Sequence, residues 1–167
     1  MNFPKLFIVL FFVSFFTQIN AQEKRLPDVK VQELSGKKIN IQEYAENGKI
    51  TVLSFWATWC VPCKKELDNI AEYYADWQED YNMELVAVSV DNARSATKIK
   101  SVVDSKGWEY DILSDKNEDL KRALNFQAVP HTIVLDQDGN IVYRHDGYVE
   151  GDEFELEDIL KKLAEKE

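Results

Sequence analysis

Two cysteines, Cys60 and Cys63, are the residues whose type and spacing most clearly suggest chemistry. They are the only cysteines in the chain, and they follow the apolar run 50–57, which is typical of a strand buried on both faces. Apolar residues then recur at helical spacing, so Cys60 is expected at a helix N-terminus. The unpaired N–H groups and positive dipole end there favour a thiolate, the nucleophile of disulfide exchange. We therefore predict that Cys60 attacks and that Cys63, one turn further, resolves the mixed disulfide.

A zinc site and a purely structural disulfide are the alternatives for this pair. Structural zinc needs four ligands, and the chain offers only two histidines, His131 and His145, separated by 13 residues. A disulfide that closes so short a loop removes little chain entropy, and small exported proteins that depend on disulfides carry several. Both alternatives are disfavoured, and neither a metal site nor a cofactor is predicted.

The composition is that of a soluble, acidic domain. The chain has 167 residues, of which 45% are hydrophobic and 30% charged, and its formal net charge is −10. This length suits one domain with its own core. An acidic chain has no electrostatic reason to bind nucleic acid or anionic lipid, so nucleic-acid binding is excluded from the expected functions.

The first residues belong to a different class. Lys5 precedes the apolar run 6–16, which has 11 residues, whereas a membrane-spanning helix takes about 20. We predict that residues 1–21 are a secretory signal peptide cleaved after Ala21, with an uncleaved membrane anchor through residues 6–19 as the alternative. Residues 22–167 would then form one domain, placed in the periplasm or otherwise outside the cytoplasm.

Strand and helix patterns alternate along this domain. Two short strands are expected within 29–41, and longer apolar runs predict strands at 50–57, 83–90, 110–113, 132–136 and 140–144. Helical spacing predicts helices at 62–81, 95–105, 117–124 and 156–163. This order predicts an α/β fold with a central mixed sheet flanked by helices and an N-terminal β extension.

The segment 55–66, with Trp59, Cys60 and Cys63 at its centre, resembles the active-site segment of thioredoxin-fold proteins, and most closely the exported TlpA/ResA-like thiol–disulfide oxidoreductases. A second matching element lies at 128–132. The resemblance implies a thioredoxin fold, a redox disulfide between Cys60 and Cys63, and a cis peptide bond before Pro130. It also implies that the Val129 backbone pairs with an extended substrate as an added strand, with Trp59 on the surface around Cys60.

Three further residues bear on the site. Glu66 lies one turn after Cys63, at a position where the resembled proteins often have a glutamate that borders the active site and tunes the thiols. Ser54 stands where thioredoxins have a buried aspartate, so Glu66 is the candidate substitute for that group. His131 follows Pro130. A positively charged His131 ring that faced Cys60 would stabilise the Cys60 thiolate, but a packing role for this ring is favoured.

The resemblance implies an exported thiol–disulfide oxidoreductase that reduces disulfides in client proteins, with apocytochrome c as one client. It also implies a membrane electron donor, and we expect a monomer. A thiol peroxidase of the peroxiredoxin type is the alternative. It is disfavoured because Thr58 is only two residues before Cys60 and Pro62 follows it, whereas peroxiredoxins place a proline and a threonine ahead of their cysteine. A non-catalytic binding module is a third class, and the intact cysteine pair argues against it.

Overall fold

One seven-stranded mixed sheet forms the centre of the protein, which a computed structural model describes for residues 24–166. The strand order is β2-β1-β5-β4-β3-β6-β7. Strands β3, β4 and β5 run parallel, and the β1–β2, β1–β5, β3–β6 and β6–β7 pairs are antiparallel. The strands are β1 (Lys30–Glu33), β2 (Lys38–Asn40), β3 (Ile50–Trp56), β4 (Met83–Ser89), β5 (Asp111–Ser114), β6 (His131–Leu135) and β7 (Ile141–Asp146).

Within residues 24–166, five helices flank the sheet, and strands alternate with helices through the middle of the chain. They are α1 (Val61–Ala71), α2 (Tyr74–Tyr81), α3 (Ile99–Lys106), α4 (Asp119–Ala123) and α5 (Asp152–Ala164), with short 3-10 turns at Ile41–Ala45 and Ala96–Lys98. The predicted α/β class, with its mixed sheet and N-terminal β extension, is confirmed.

The prediction of one continuous helix over 62–81 is wrong, because α1 and α2 are separate helices. At the junction, the N–H of Glu72 bonds to the carbonyl of Asn69 and that of Tyr73 to the carbonyl of Ile70, which tightens the chain into a turn. Tyr74 begins the next helix and lies edge-on to Tyr110. Aromatic packing against the sheet therefore takes precedence over continuous helical spacing.

Strand β3 positions the cysteines because it is fixed on both sides. All seven of its residues are buried, and it pairs with β4 on one side and β6 on the other. Cys60 follows its end by four residues and begins α1. The reactive segment therefore leaves the most deeply buried strand of the fold.

The predicted signal peptide at 1–21, and with it the alternative of an anchor through 6–19, lies outside the described residues. Within 24–166, none of the helices is long and apolar enough to span a bilayer.

Candidate active site

Cys60 and Cys63 are joined by a disulfide at the start of α1, with their Cα atoms 5.4 Å apart. Cys60 is the N-cap residue: its backbone is extended, and its Sγ accepts a hydrogen bond from the N–H of Cys63 at 3.3 Å. Pro62 sits in the first turn, where no N–H is needed. A negative charge on Cys60 Sγ would therefore face the N–H groups and positive dipole end of the helix.

The two sulfurs have different surroundings. Trp59 and Val61, which flank Cys60, are among the most exposed large apolar side chains, at 66% and 71%. Cys63 is fully buried. Cys60 itself is only 4% exposed, but it lies between these two exposed side chains, so an incoming disulfide can approach it along their apolar surface.

The loop before β6 closes the site opposite the cysteines. The Val129–Pro130 peptide bond is cis, and the Val129 carbonyl oxygen lies 3.8 Å from Cys60 Sγ. This brings together Cys60, Val129 and Pro130, which are separated by about 70 residues of sequence.

Glu66 is a buried carboxyl group one turn beyond Cys63, only 5% exposed. Its Oε1 accepts a hydrogen bond from the Thr132 hydroxyl at 2.7 Å, and its Oε2 accepts one from the Ser54 hydroxyl at 3.4 Å. Burial raises the pKa of Glu66 to about 7, although both hydroxyl donors oppose the shift. A carboxyl group that changes charge near neutral pH thus lies one helical turn after the buried cysteine.

His131, which follows Pro130, is held by an aromatic ring and a carboxylate. Its ring stacks on Phe126, with centroids 4.2 Å apart, and its Nδ1 lies 2.6 Å from a carboxylate oxygen of Asp146. Burial lowers the pKa of His131, so the neutral ring is favoured. A carboxylate only accepts hydrogen bonds, so Nδ1 carries the proton. Its Nε2 is buried and has no hydrogen-bond partner among the described residues. The packing role of His131 stays a prediction.

Asp91 is a site residue that the sequence did not reveal, since nothing in its local pattern marks it. It is fully buried and accepts hydrogen bonds from the backbone N–H and hydroxyl of Thr58 at 2.7 and 2.8 Å. The hydroxyl of Ser89 donates to it as well. Asp91 therefore anchors the segment that leads into Cys60.

Replacing Asp91 with asparagine should destabilise the protein by about 2 kcal/mol. The buried carboxylate accepts three hydrogen bonds, and the amide nitrogen of asparagine would face one of these three donors without being able to accept from it. Urea unfolding measures this loss. The same change at Asp104, whose partner Lys100 lies on an exposed helix face, should leave the midpoint nearly unchanged. Equal effects of the two substitutions would contradict the anchoring role.

Comparison with known proteins gives the family. Residues 22–144 match the model of the AhpC/TSA family. The thiol-disulfide oxidoreductase ResA of Bacillus anthracis is 31% identical over 141 residues, covering 84% of this chain and 78% of the relative. The chain belongs to the AhpC/TSA family, among its ResA-like thiol–disulfide oxidoreductases. The family resemblance seen in the sequence is confirmed.

Two further relatives of this oxidoreductase agree. The thioredoxin-like protein YneN of Bacillus subtilis is 32% identical over 143 residues, covering 83% of this chain and 79% of the relative. The solution structure of a thioredoxin-like protein from Porphyromonas gingivalis is 41% identical and superposes with a TM-score of 0.77, covering 87% of this chain and 95% of that one. Together with the ResA relatives, they support the assignment of this enzyme as a thiol–disulfide oxidoreductase.

Proposed function

We propose that this oxidoreductase is exported and reduces disulfides in client proteins through a Cys60/Cys63 dithiol–disulfide cycle. The observation that carries the proposal is the asymmetry of the pair. Cys60, although only 4% exposed itself, caps a helix between the exposed Trp59 and Val61, whereas Cys63 is fully buried one turn before Glu66. This difference supports an attacking role for Cys60 and a resolving role for Cys63.

In the first step of the cycle, the Cys60 thiolate attacks one sulfur of a client disulfide. The client S–S bond breaks, its other sulfur leaves as a thiolate, and a mixed disulfide forms. The Val129 backbone pairs with the client as an added strand, and Trp59 covers the adjoining surface. The exposed Trp59 and Val61 side chains give the client apolar contacts without demanding a particular sequence.

In the second step, Cys63 must lose its proton in a buried place. Glu66 accepts that proton, and the Cys63 thiolate attacks Cys60 Sγ. The Cys60–Cys63 bond forms, and the client leaves with its second thiolate. Two electrons have passed from the dithiol to the client, and a membrane dithiol donor restores the pair.

The direction of transfer is supported by the setting of Cys63. Burial and the nearby Glu66 carboxylate both disfavour a thiolate at Cys63. Charge stabilisation of the reduced form is then confined to Cys60, where the helix N-terminus favours a thiolate. A pair with one stabilised thiolate gives up its electrons more readily than a pair with two, which supports the proposed role as a reductant.

Equilibration with glutathione buffers, followed by thiol alkylation, tests the direction. Thioredoxin-like proteins span about −270 to −120 mV, and the reduction potential of Cys60–Cys63 is expected nearer to the lower end. A potential close to about −120 mV would mean that the enzyme oxidises its clients.

Export is proposed from residues 1–21. The mature protein recovered from outside the cytoplasm is expected to begin at Gln22, which leaves 146 of 167 residues; an anchored form would keep residues 6–19 instead. N-terminal sequencing distinguishes the two forms, and recovery of the full chain from the cytoplasm alone would contradict export. Apocytochrome c is one proposed client, and the enzyme is proposed to act as a monomer.

A further inference from the structure

A small cavity joins Glu66 to the edge of the sheet. Its volume is about 20 Å³, enough for about one water molecule. Its walls come from α1, β6, β7, α5 and the loop before α5; the lining residues are Glu66, Ile70, Thr132, Tyr143, His145, Tyr148, Asp152, Glu153 and Leu156. Glu66 thus lines a cavity that other polar side chains also reach, although its own side chain is almost completely buried.

The sheet register places a row of polar side chains along this cavity. Ser54 on β3 pairs with Thr132 on β6, and Thr132 pairs with His145 on β7. Directly opposed residues of an antiparallel pair share one face of the sheet. Ser54 and Thr132 both donate to Glu66, and His145 is next in the row, on the edge strand.

His145 is oriented by Asp152. Its Nε2 lies 3.2 Å from Asp152 Oδ2, and that oxygen also accepts the N–H of Val149 at 2.8 Å. Because a carboxylate only accepts, Nε2 carries the proton and Nδ1 keeps its lone pair in the neutral ring. The His145 side chain is 33% exposed and that of Asp152 is 22% exposed. The pair therefore contacts both the cavity and solvent.

The other polar groups around the cavity are already engaged. The Tyr148 hydroxyl donates to Glu153 at 2.7 Å, and the Tyr143 hydroxyl donates to Glu155 at 3.2 Å. On its own helix, Glu66 follows Cys63 by one turn. His145 is the cavity group that combines a lone pair on Nδ1 with contact to solvent.

We propose that His145, held by Asp152, carries the proton between Glu66 and solvent through this cavity. Glu66 can accept the Cys63 proton only as a carboxylate, so a proton already on Glu66 must leave for solvent before the mixed disulfide can be resolved. That proton passes by way of the cavity to His145 Nδ1, and the ring releases a proton to solvent. His145 is a positioning residue that acts through Glu66, so this inference rests on the proposed function.

The test is the rate at which the reduced enzyme resolves its mixed disulfide, followed by stopped-flow tryptophan fluorescence between pH 5.5 and 8.5. H145Q should slow this step by about 10-fold at neutral pH, and added imidazole should restore it. D152N leaves the ring in place without the neighbouring charge and should slow the step by a smaller factor. Y143F is the matched control: it removes a hydroxyl at the same cavity and should keep the wild-type rate.

Wild-type rates and pH profiles in both H145Q and D152N would overturn the proposal, and so would a slow H145Q that imidazole does not restore. E66Q separates this result from the proposed function. If E66Q is slow and H145Q is not, Glu66 keeps its role and the route through His145 is wrong. If E66Q is also unaffected, the proposed role of Glu66 fails as well.

Discussion

Replacing Cys60 with serine is expected to lower client-disulfide reduction by at least about 10³-fold, to the uncatalysed background. The hydroxyl cannot form the thiolate that attacks in disulfide exchange. Turnover of a disulfide-bonded model protein, with a small dithiol as the electron source, measures the loss. Cys63→Ser should also stop turnover, but at a later step, because Cys60 would still attack and form a mixed disulfide.

The two variants control for each other, since each removes the same disulfide. Loss of a bridge between residues three apart should cost little stability, so both should fold. Turnover by the Cys60 variant above about a tenth of the wild-type rate would contradict the assignment of Cys60 as the attacking thiol.

Replacing Glu66 with glutamine is expected to slow resolution of the mixed disulfide by about 10² at pH 8. Above the Glu66 pKa of about 7, the wild-type carboxylate accepts the Cys63 proton, so the wild-type rate should rise as pH passes through that value. An amide cannot accept the proton, and E66Q should lose this inflection. Rate–pH profiles of the two proteins show the difference. Glu72→Gln, the same change at an exposed position after α1, should keep the wild-type profile.

The same carboxyl group predicts a pH-dependent stability. Its pKa is about 7 in the folded protein and near 4.5 in an unfolded chain. Between these values the folded state holds a proton that the unfolded state has lost, so the stability contributed by Glu66 falls as pH rises. From pH 5 to 8, the unfolding free energy of E66Q should gain about 1 to 3 kcal/mol relative to wild type. Urea unfolding of both proteins at pH 5 and pH 8 measures this difference. A fall in the unfolding free energy of E66Q relative to wild type over this range would contradict the buried setting of Glu66.

Local sequence patterns predicted most of the fold. Unbroken apolar runs identify β3 and β4, and the helical spacing after Cys63 identifies the helix that follows. These elements can be recognised without knowing what they pack against. The break between α1 and α2 could not be predicted this way. It depends on the rings of Tyr74 and Tyr110 meeting across the fold, and no local spacing reports such a contact.

The site residues also fall into two groups: those that local sequence predicts and those that only the fold brings together. The cysteine pair and Pro130 lie in short motifs, and Glu66 follows from helical spacing. The partners of Glu66 come from strand register. A β-bulge between Val134 and Leu135 places His145 opposite Thr132; the unshifted register would put Arg144 there. A register shift of one residue turns the side chains of a strand to the opposite face of the sheet. The sequence alone therefore could not place His145 opposite Thr132, and it identified His145 only as a possible zinc ligand.

Trapping with the single-cysteine variants tests the cycle most directly. Reduced C63A is mixed with a disulfide-bonded client, quenched with acid and examined by intact-mass spectrometry. The proposed cycle predicts one covalent client per enzyme, attached to Cys60, because the resolving thiol is gone. C60A treated in the same way should show no adduct. An adduct on C60A but not on C63A, or none on either variant, would contradict the central claim that Cys60 attacks and Cys63 resolves.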